Sequence, residues 1–269
     1  MTPIVLTDAE LAARLLAANA IAREAGDLAL RMLGSSADLA IAFKGPQDFV
    51  TAADRAVEAL IAERLQGAFP TDGFVGEEGV AARAAEDTSL LWIVDPIDGT
   101  ANYAAGRPDW CVSIGFMQGN RIELGAIYQP ARDALFSAHR GHGATRNGRP
   151  IRVSARPLTE ATIGIDYSVS CDPHVHVDQI SRVLATGADY RRNGSVAVSL
   201  TQIAEGTLDG FVEMQLNAWD VAAGIVLVEE AGGWCSDFFS GTTWPAAKPL
   251  AAATPVTQPL IEELWQAHM

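Results

Sequence analysis

The chain has 269 residues, enough to bury a sizeable core either as one large domain or as two closely packed halves. Its 33 acidic and 19 basic side chains leave a formal charge of −14, which excludes a surface built to grip nucleic acid or an anionic membrane. Cys111, Cys171 and Cys235 are odd in number and lack C-x-x-C spacing, so neither a disulfide framework nor a zinc cluster is indicated. With no secretory leader and no apolar run near the roughly 20 residues that span a bilayer, the expectation is a soluble cytoplasmic protein.

Thr7 and Glu10 form a capping box, and apolar residues at helical spacing predict a long first helix through about Leu33, stopped by Gly34. A second helix is predicted from Thr51 through Val57, Leu60, Ile61 and Leu65, with Asp54 in its first turn and Gly67 and Pro70 at its end. Gly76-Glu77-Glu78-Gly79 reads as a turn ahead of a helical or loop segment at Val80–Ala85. The run Leu90–Val94, closed by Asp95-Pro96, reads as a buried strand. Strands Cys111–Met117, Glu123–Tyr128, Ala134–Ala138 and Ala144–Thr145 follow, separated by turn residues, and predict an antiparallel meander.

After about residue 150 the pattern alternates. A strand is expected near Ile163–Tyr167, helices near His174–Leu184 and Ser195–Ala204, a strand at Phe211–Glu213, a helix at Ala218–Ala231 and a last helix near Val256–Gln266. The division is therefore an α+β half over 1–150 and an α/β half over 151–269. Neither a long linker nor an internal repeat is present, so the halves share an interface.

Four acidic segments can carry chemistry: Asp54, Glu77-Glu78, Asp95-x-x-Asp98 and Asp220. Carboxylates drawn from separate segments suit Mg²⁺, a hard ion that prefers oxygen ligands, and none of the five histidines makes a recognisable ligand spacing. A strand ending in Asp95-Pro96-Ile97-Asp98-Gly99-Thr100 can deliver both acids to ions while the following amides face an anion. Each acid also has an ordinary reading. Asp98 serves as a turn former, Glu77 and Glu78 as a solvated turn, Asp54 as first-turn helix charge, and Asp220 as the N3 partner of an Asn217 cap. Asp54 and Thr100 together form a candidate couple for activating water, a hydroxyl beside a carboxylate.

The segments Asp48-Phe-Val-Thr-Ala-Ala-Asp54, Gly76-Glu-Glu78, Asp95-Pro-Ile-Asp-Gly-Thr100 and Trp219-Asp-Val-Ala-Ala-Gly224 resemble, in order and spacing, the motifs of the inositol monophosphatase family. Lys44, Gly106-x-Pro108, Arg191-Arg192-Asn193-Gly194-Ser195 and Glu229-Glu-Ala-Gly-Gly233 extend the resemblance over nearly the whole chain. It implies a layered αβαβα sandwich, a lithium-sensitive Mg²⁺ phosphatase holding two or three ions, and a homodimer. Carried over by position, Glu77, Asp95 and the Ile97 carbonyl would hold one ion, and Asp95, Asp98 and Asp220 a second. Asp54 and Thr100, with Glu77, would set up the attacking water. The amides of Gly99 and Thr100 would receive phosphate, and Gly194, Ser195, Val196 and Glu213 would contact the alcohol.

Three departures concern the substrate. Val196 replaces a usual alanine, Gly164-Ile165-Asp166-Tyr167-Ser168 replaces a Gly-Phe-Pro-like segment, and Asp109 stands where a bulky residue is common. The leaving-group pocket is thus expected to be reshaped. The expected substrate is a small phosphomonoester, myo-inositol monophosphate or a related polyol or sugar phosphate. The alternatives are histidinol phosphate, fructose 1,6-bisphosphate, a 3′-phosphonucleotide, or a regulatory metal-binding protein without catalysis.

Overall fold

The computed structural model describes residues 5–34, 42–45, 48–50, 52–79, 89–240 and 247–267. Thr51, the Lys44 side chain and the Val80–Ala85 segment lie outside the described residues.

Helix α1 (Asp8–Gly34) begins at the expected box, where the Thr7 amide donates to Glu10 Oε2 at 2.8 Å. A short pair, β1 (Ala42–Gly45) and β2 (Asp48–Val50), precedes α2 (Ala52–Ala68). A seven-stranded sheet then follows in spatial order: β3 (Gly73–Gly76), β4 (Leu90–Asp98), β5 (Cys111–Gln118), β6 (Arg121–Gln129), β7 (Ala134–His139), β8 (Gly143–Arg146) and β9 (Arg149–Pro150). Only β3 pairs parallel with its neighbour, and the rest forms the predicted meander. The five-residue α3 (Thr100–Ala104) sits between β4 and β5.

The second sheet has five strands in the order β11 (Asp189–Arg191), β10 (Thr162–Ile165), β12 (Gly210–Leu216), β14 (Lys248–Ala253) and β13 (Trp234–Cys235). Its helices are α4 (Pro173–Ala185), α5 (Val196–Ala204), α6 (Ala218–Glu230) and α7 (Gln258–Gln266).

Five layers result. Helices α1 and α2 cover one face of the large sheet, and α5 and α6 fill the space between the two sheets. Helices α4 and α7 cover the far face of the small sheet. Strand β4 is apolar at consecutive positions because both its faces are covered: Leu91 and Ile93 join the core shared with α5 and α6, and Leu90, Trp92 and Val94 the core under α1 and α2.

Small residues set the interlayer distance. A Cβ on Gly125 would lie 2.4 Å from the Ala223 carbonyl oxygen, and one on Gly115 would lie 2.7 Å from Ala222 Cβ, so α6 rests directly on the backbones of β5 and β6.

A buried ion pair ties the first layers together. Arg14 of α1 donates from Nε and a terminal nitrogen to the Asp72 carboxylate at 2.9 and 3.0 Å, and Trp92 Nε1 donates to the same group at 3.1 Å. The Arg14 guanidinium also lies 4.6 Å from the Phe69 ring centre.

The structure departs from the sequence reading in several elements. Strand β4 continues past Asp95-Pro96 to Asp98, with a register irregularity between the two acids that spares Pro96 a ladder bond. Strand β10 stops at Ile165, two residues short of expectation, and β1, β2, β3, β9, β11, β13, β14 and α3 have no counterpart in the sequence pattern. All three cysteines are free, as expected.

Candidate active site

The irregular end of β4 presents Asp95 and Asp98 where the large sheet meets α6. The Ile97 amide folds back to donate to Asp95 Oδ1 at 3.0 Å, fixing one carboxylate oxygen. Gly99 follows at φ 89°, and a Cβ there would lie 2.9 Å from the Asp109 carbonyl oxygen. Both the backbone conformation and the close approach therefore require glycine. The turn delivers the chain into α3, whose first amides, beginning at Thr100, have no acceptor within their own helix.

Asp95, Asp98 and Asp54 are buried, at 2%, 7% and 1% exposure. Burial pushes the Asp95 carboxyl far above its usual range, and the charges of Glu77, Asp98, Asp220 and Asp54 add to the push. Asp98 is raised by burial and restrained by hydrogen bonds from Ser195, Ala197 and Val196. Asp220 is lifted to about 7 by burial and then by Asp98. All four groups that act on Asp95 are acids. A set of converging oxygen donors under mutual repulsion fits a hard divalent cation such as Mg²⁺ and does not fit a soft ion.

Each ligand candidate is held from behind. Asp220 Oδ2 accepts from the Asn217 amide at 2.7 Å, so the residue closes the capping box of α6 while lining the cluster. The cap expected at Asn217 and Asp220 is therefore present. Asp98 Oδ2 accepts from Ser195 Oγ and the Ala197 amide, each at 2.6 Å. Glu77 stands just beyond β3, its amide bonded to the Val94 carbonyl at 3.3 Å. The adjoining turn is anchored by Glu58, fully buried on α2, whose carboxylate accepts from the Glu78 amide at 2.7 Å. Gly76 admits that carboxylate, since a Cβ there would fall 2.4 Å from Glu58 Oε2. Thr100 Oγ1 lies 3.2 Å from Asp54 Oδ1 and 3.0 Å from the Ile97 carbonyl oxygen.

The residues expected at the alcohol divide into two groups. Glu213 on β12 is buried beside the cluster, its carboxyl pushed well up by burial and by Asp166, Asp220 and Asp98, against the opposing charge of Arg192. Ser195 and Val196 face inward instead. The Ser195 hydroxyl donates to Asp98 and accepts from the Val198 amide at 3.2 Å as the N-cap of α5, and Val196 packs into the core between the sheets. The expectation that the bulk of Val196 reshapes the leaving-group pocket is corrected by that placement. Gly194 stands before them at φ 71°, its amide shared between the two oxygens of Asp166 at 3.2 Å each. Asp109 pairs with Arg132 at 2.7 Å.

Sequence reasoning passed over Glu58, Asn102 and the charge of Asp166. Asn102 Nδ2 donates to the carbonyls of Asp109 and Asn193 at 2.7 and 2.9 Å, stitching α3 to the segment before α5. Asp166 is raised to about 6 by burial. A signal for it existed: it follows the carboxyl end of β10, a strand with parallel neighbours on both sides, where open α/β sheets place their ligands.

The family model described as "Inositol monophosphatase family" matches residues 10–269. The inositol-1-monophosphatase of Rhizobium meliloti is 39% identical over 239 residues, covering 86% of each chain. The protein named Nus factor SuhB in Escherichia coli is 35% identical over 237 residues, 87% of this chain and 88% of that one. The crystal structure of the extragenic suppressor protein suhB from Bartonella henselae superposes with a TM-score of 0.88 at 35% identity, covering 96% of this chain and all of that one (100%).

Proposed function

The chain belongs to the inositol monophosphatase family and is a phosphomonoesterase, and we propose that it hydrolyses a small polyol phosphate, first among them myo-inositol monophosphate, with Mg²⁺. One observation carries this reading: the charges of Glu77, Asp98, Asp220 and Asp54 all bear on the buried Asp95 and hold its carboxyl up, and Asp98 does the same to Asp220. Glu77, Asp95 and the Ile97 carbonyl would hold one ion, and Asp95, Asp98 and Asp220 a second, within a complement of two or three. When bound, Mg²⁺ supplies charge neutralisation for the phosphoryl oxygens and acidification of water.

The protein's own groups do the rest. The Gly99 and Thr100 amides bind the phosphate. The Thr100 hydroxyl has one hydrogen and two acceptors in reach, Asp54 and the Ile97 carbonyl, so it can take a proton from the attacking water while passing its own to Asp54. Asp166 and Glu213 are acceptors for substrate hydroxyls, and Arg192 stands exposed beside them. Two carboxyl groups at the rim accept hydrogen bonds from hydroxyls and offer a second phosphate few donors, which favours a polyol monoester over fructose 1,6-bisphosphate or a 3′-phosphonucleotide. Of the proposed halves, 1–150 would take the seven-stranded sheet with the small β1–β2 pair and 151–269 the five-stranded sheet, and Asp220 would bring the second half to the ions of the first. Lithium sensitivity and a homodimer rest on the family resemblance, and cytoplasmic residence on the composition and cysteine usage of the sequence.

The test is kcat/KM with Mg²⁺ for myo-inositol 1-phosphate, histidinol phosphate, fructose 1,6-bisphosphate and 3′-phosphoadenosine 5′-phosphate. Preference for either doubly phosphorylated compound, or for histidinol phosphate, would sink the polyol assignment. Relatives named as a Nus factor prompt a second reading, a regulatory role. Such a role would survive substitutions that abolish turnover.

A further inference from the structure

A second cluster of metal-ligating side chains lies outside the carboxylate site. In the sequence His139 and His142 give no helical ligand spacing, but the β7–β8 turn brings them together and α1 adds Asp8. The imidazoles stack at 4.2 Å between ring centres, 22° from parallel. Both direct Nε2 at one carboxylate: His142 lies 3.0 Å from Asp8 Oδ2, and His139 3.6 Å from Asp8 Oδ1. The three ligand atoms all fall within 4.8 Å of one another. Bonds of about 2.0–2.1 Å to tetrahedral zinc require ligand atoms roughly 3.3 Å apart. Each ring nitrogen already stands near that distance from one oxygen of the carboxylate, His142 from Oδ2 and His139 from Oδ1.

The turn carrying the histidines is built to stay in place. The Glu230 carboxylate on α6 accepts from the amides of Gly141 and Gly143, each at 2.8 Å. Both glycines take φ 82°, which the tight turn demands. The His142 amide donates to the His139 carbonyl at 2.9 Å, closing the turn. His139 is buried, while the exposed side chains of His142 and Asp8 have room to draw in around an ion.

Charge favours a dication as well. Glu123 and Glu230 act on His139 as negative charges in addition to Asp8. Two stacked imidazoles facing one carboxylate repel each other if both are protonated, and burial of His139 keeps it in the neutral form that ligates. One ion shared by both rings satisfies the arrangement with no added protons.

We propose that Asp8, His139 and His142 form a second metal site, taking one borderline divalent transition ion such as Zn²⁺ and fastening the first turn of α1 to the β7–β8 turn. Two imidazoles and one carboxylate select such an ion over Mg²⁺, and water completes the coordination.

The full-length protein is titrated with Zn²⁺ in excess Mg²⁺, followed by calorimetry and by long-range ¹H–¹⁵N spectra of the histidine rings. Expected are one Zn²⁺ per chain at this site, shifts confined to His139 and His142 with His174 and His176 unmoved, and a rise in Tm. His142→Asn and Asp8→Asn, both at exposed positions, should weaken binding by at least the roughly 10–100-fold that loss of an outer-shell partner costs a metal site. Both variants should keep Mg²⁺-dependent turnover. Zn²⁺ binding that leaves the His139 and His142 signals unmoved, or affinity in both variants equal to that of the parent protein, would place the ion elsewhere and overturn the proposal. Absence of Zn²⁺ binding would overturn it too.

Discussion

Two buried carboxylates, three residues apart in their contacts along β4, are treated in opposite ways. Asp72, bonded by Trp92, receives both arms of Arg14 and the indole N–H, so its charge is answered within the protein. Asp95 receives one amide, and the charges pressing on it are all negative. The first arrangement holds layers together; the second is unfavourable unless something from outside completes it. The contrast separates a carboxylate kept for structure from one kept for chemistry, although burial alone would rank them equal.

The sharpest break in that contrast comes from Asp95→Asn. It removes a proposed ligand of two ions at nearly constant volume. We expect kcat/KM with Mg²⁺ to fall by ~10³-fold or more, the effect of losing several kcal/mol of charge stabilisation. In chelator its Tm should equal or exceed that of the parent, because a repelling charge has gone. Near-normal turnover would refute the two-ion assignment. Arg14→Met does the reverse. It strands Asp72 and should cost about 3–5 kcal/mol in denaturant unfolding, while kcat of the folded enzyme stays the same.

Between these extremes lies Ser195→Ala, which removes a helix cap and one of the bonds that orient Asp98. Stability should drop by about 1 kcal/mol. The Mg²⁺ concentration for half-maximal activity should rise by roughly 10–100-fold, as for other outer-shell partners. A rise in KM for substrate with unchanged Mg²⁺ demand would return Ser195 to the alcohol pocket. The last effect is on pH, and it leaves the sequence of the protein untouched. Asp220 is raised from its ordinary 3.8 to about 7, so the folded, metal-free protein binds this proton more tightly than the unfolded chain does. That contribution is complete below pH 4 and is lost as pH climbs through 7. Tm in chelator should therefore decline over this window relative to Tm in Mg²⁺, and parallel curves would count against an unmet cluster.

How far the sequence reveals this contrast depends on the element. The long helices, the meander and the Asp95–Thr100 turn are legible because periodicity, turn residues and caps agree with the final packing. Strand β14 is not, although it pairs with both β12 and β13, because Lys248-Pro-Leu-Ala-Ala-Ala253 has neither alternation nor β-branched residues, and its burial comes wholly from the sheet that receives it. In the site, the four acids of the motifs stand out by context. Glu58 looks like one more charge on the outer face of a helix, and only Gly76, which leaves room for its carboxylate, shows why it points inward. Val196 misleads in the other direction: a substitution beside a motif suggests a pocket wall, yet the side chain is core.

The seating of α6 directly on β5 and β6 has a consequence for descent. Asp220 rides on a helix pressed between the sheet at Gly115 and Gly125 and Leu200 of α5 at Gly224, whereas Asp166, Arg192 and Glu213 sit on or beside strands of the other sheet. A lineage can therefore rewrite the rim while inheriting the carboxylate cluster intact. Diversification of substrate within such a scaffold is then a matter of drift in one layer, under purifying selection in the next.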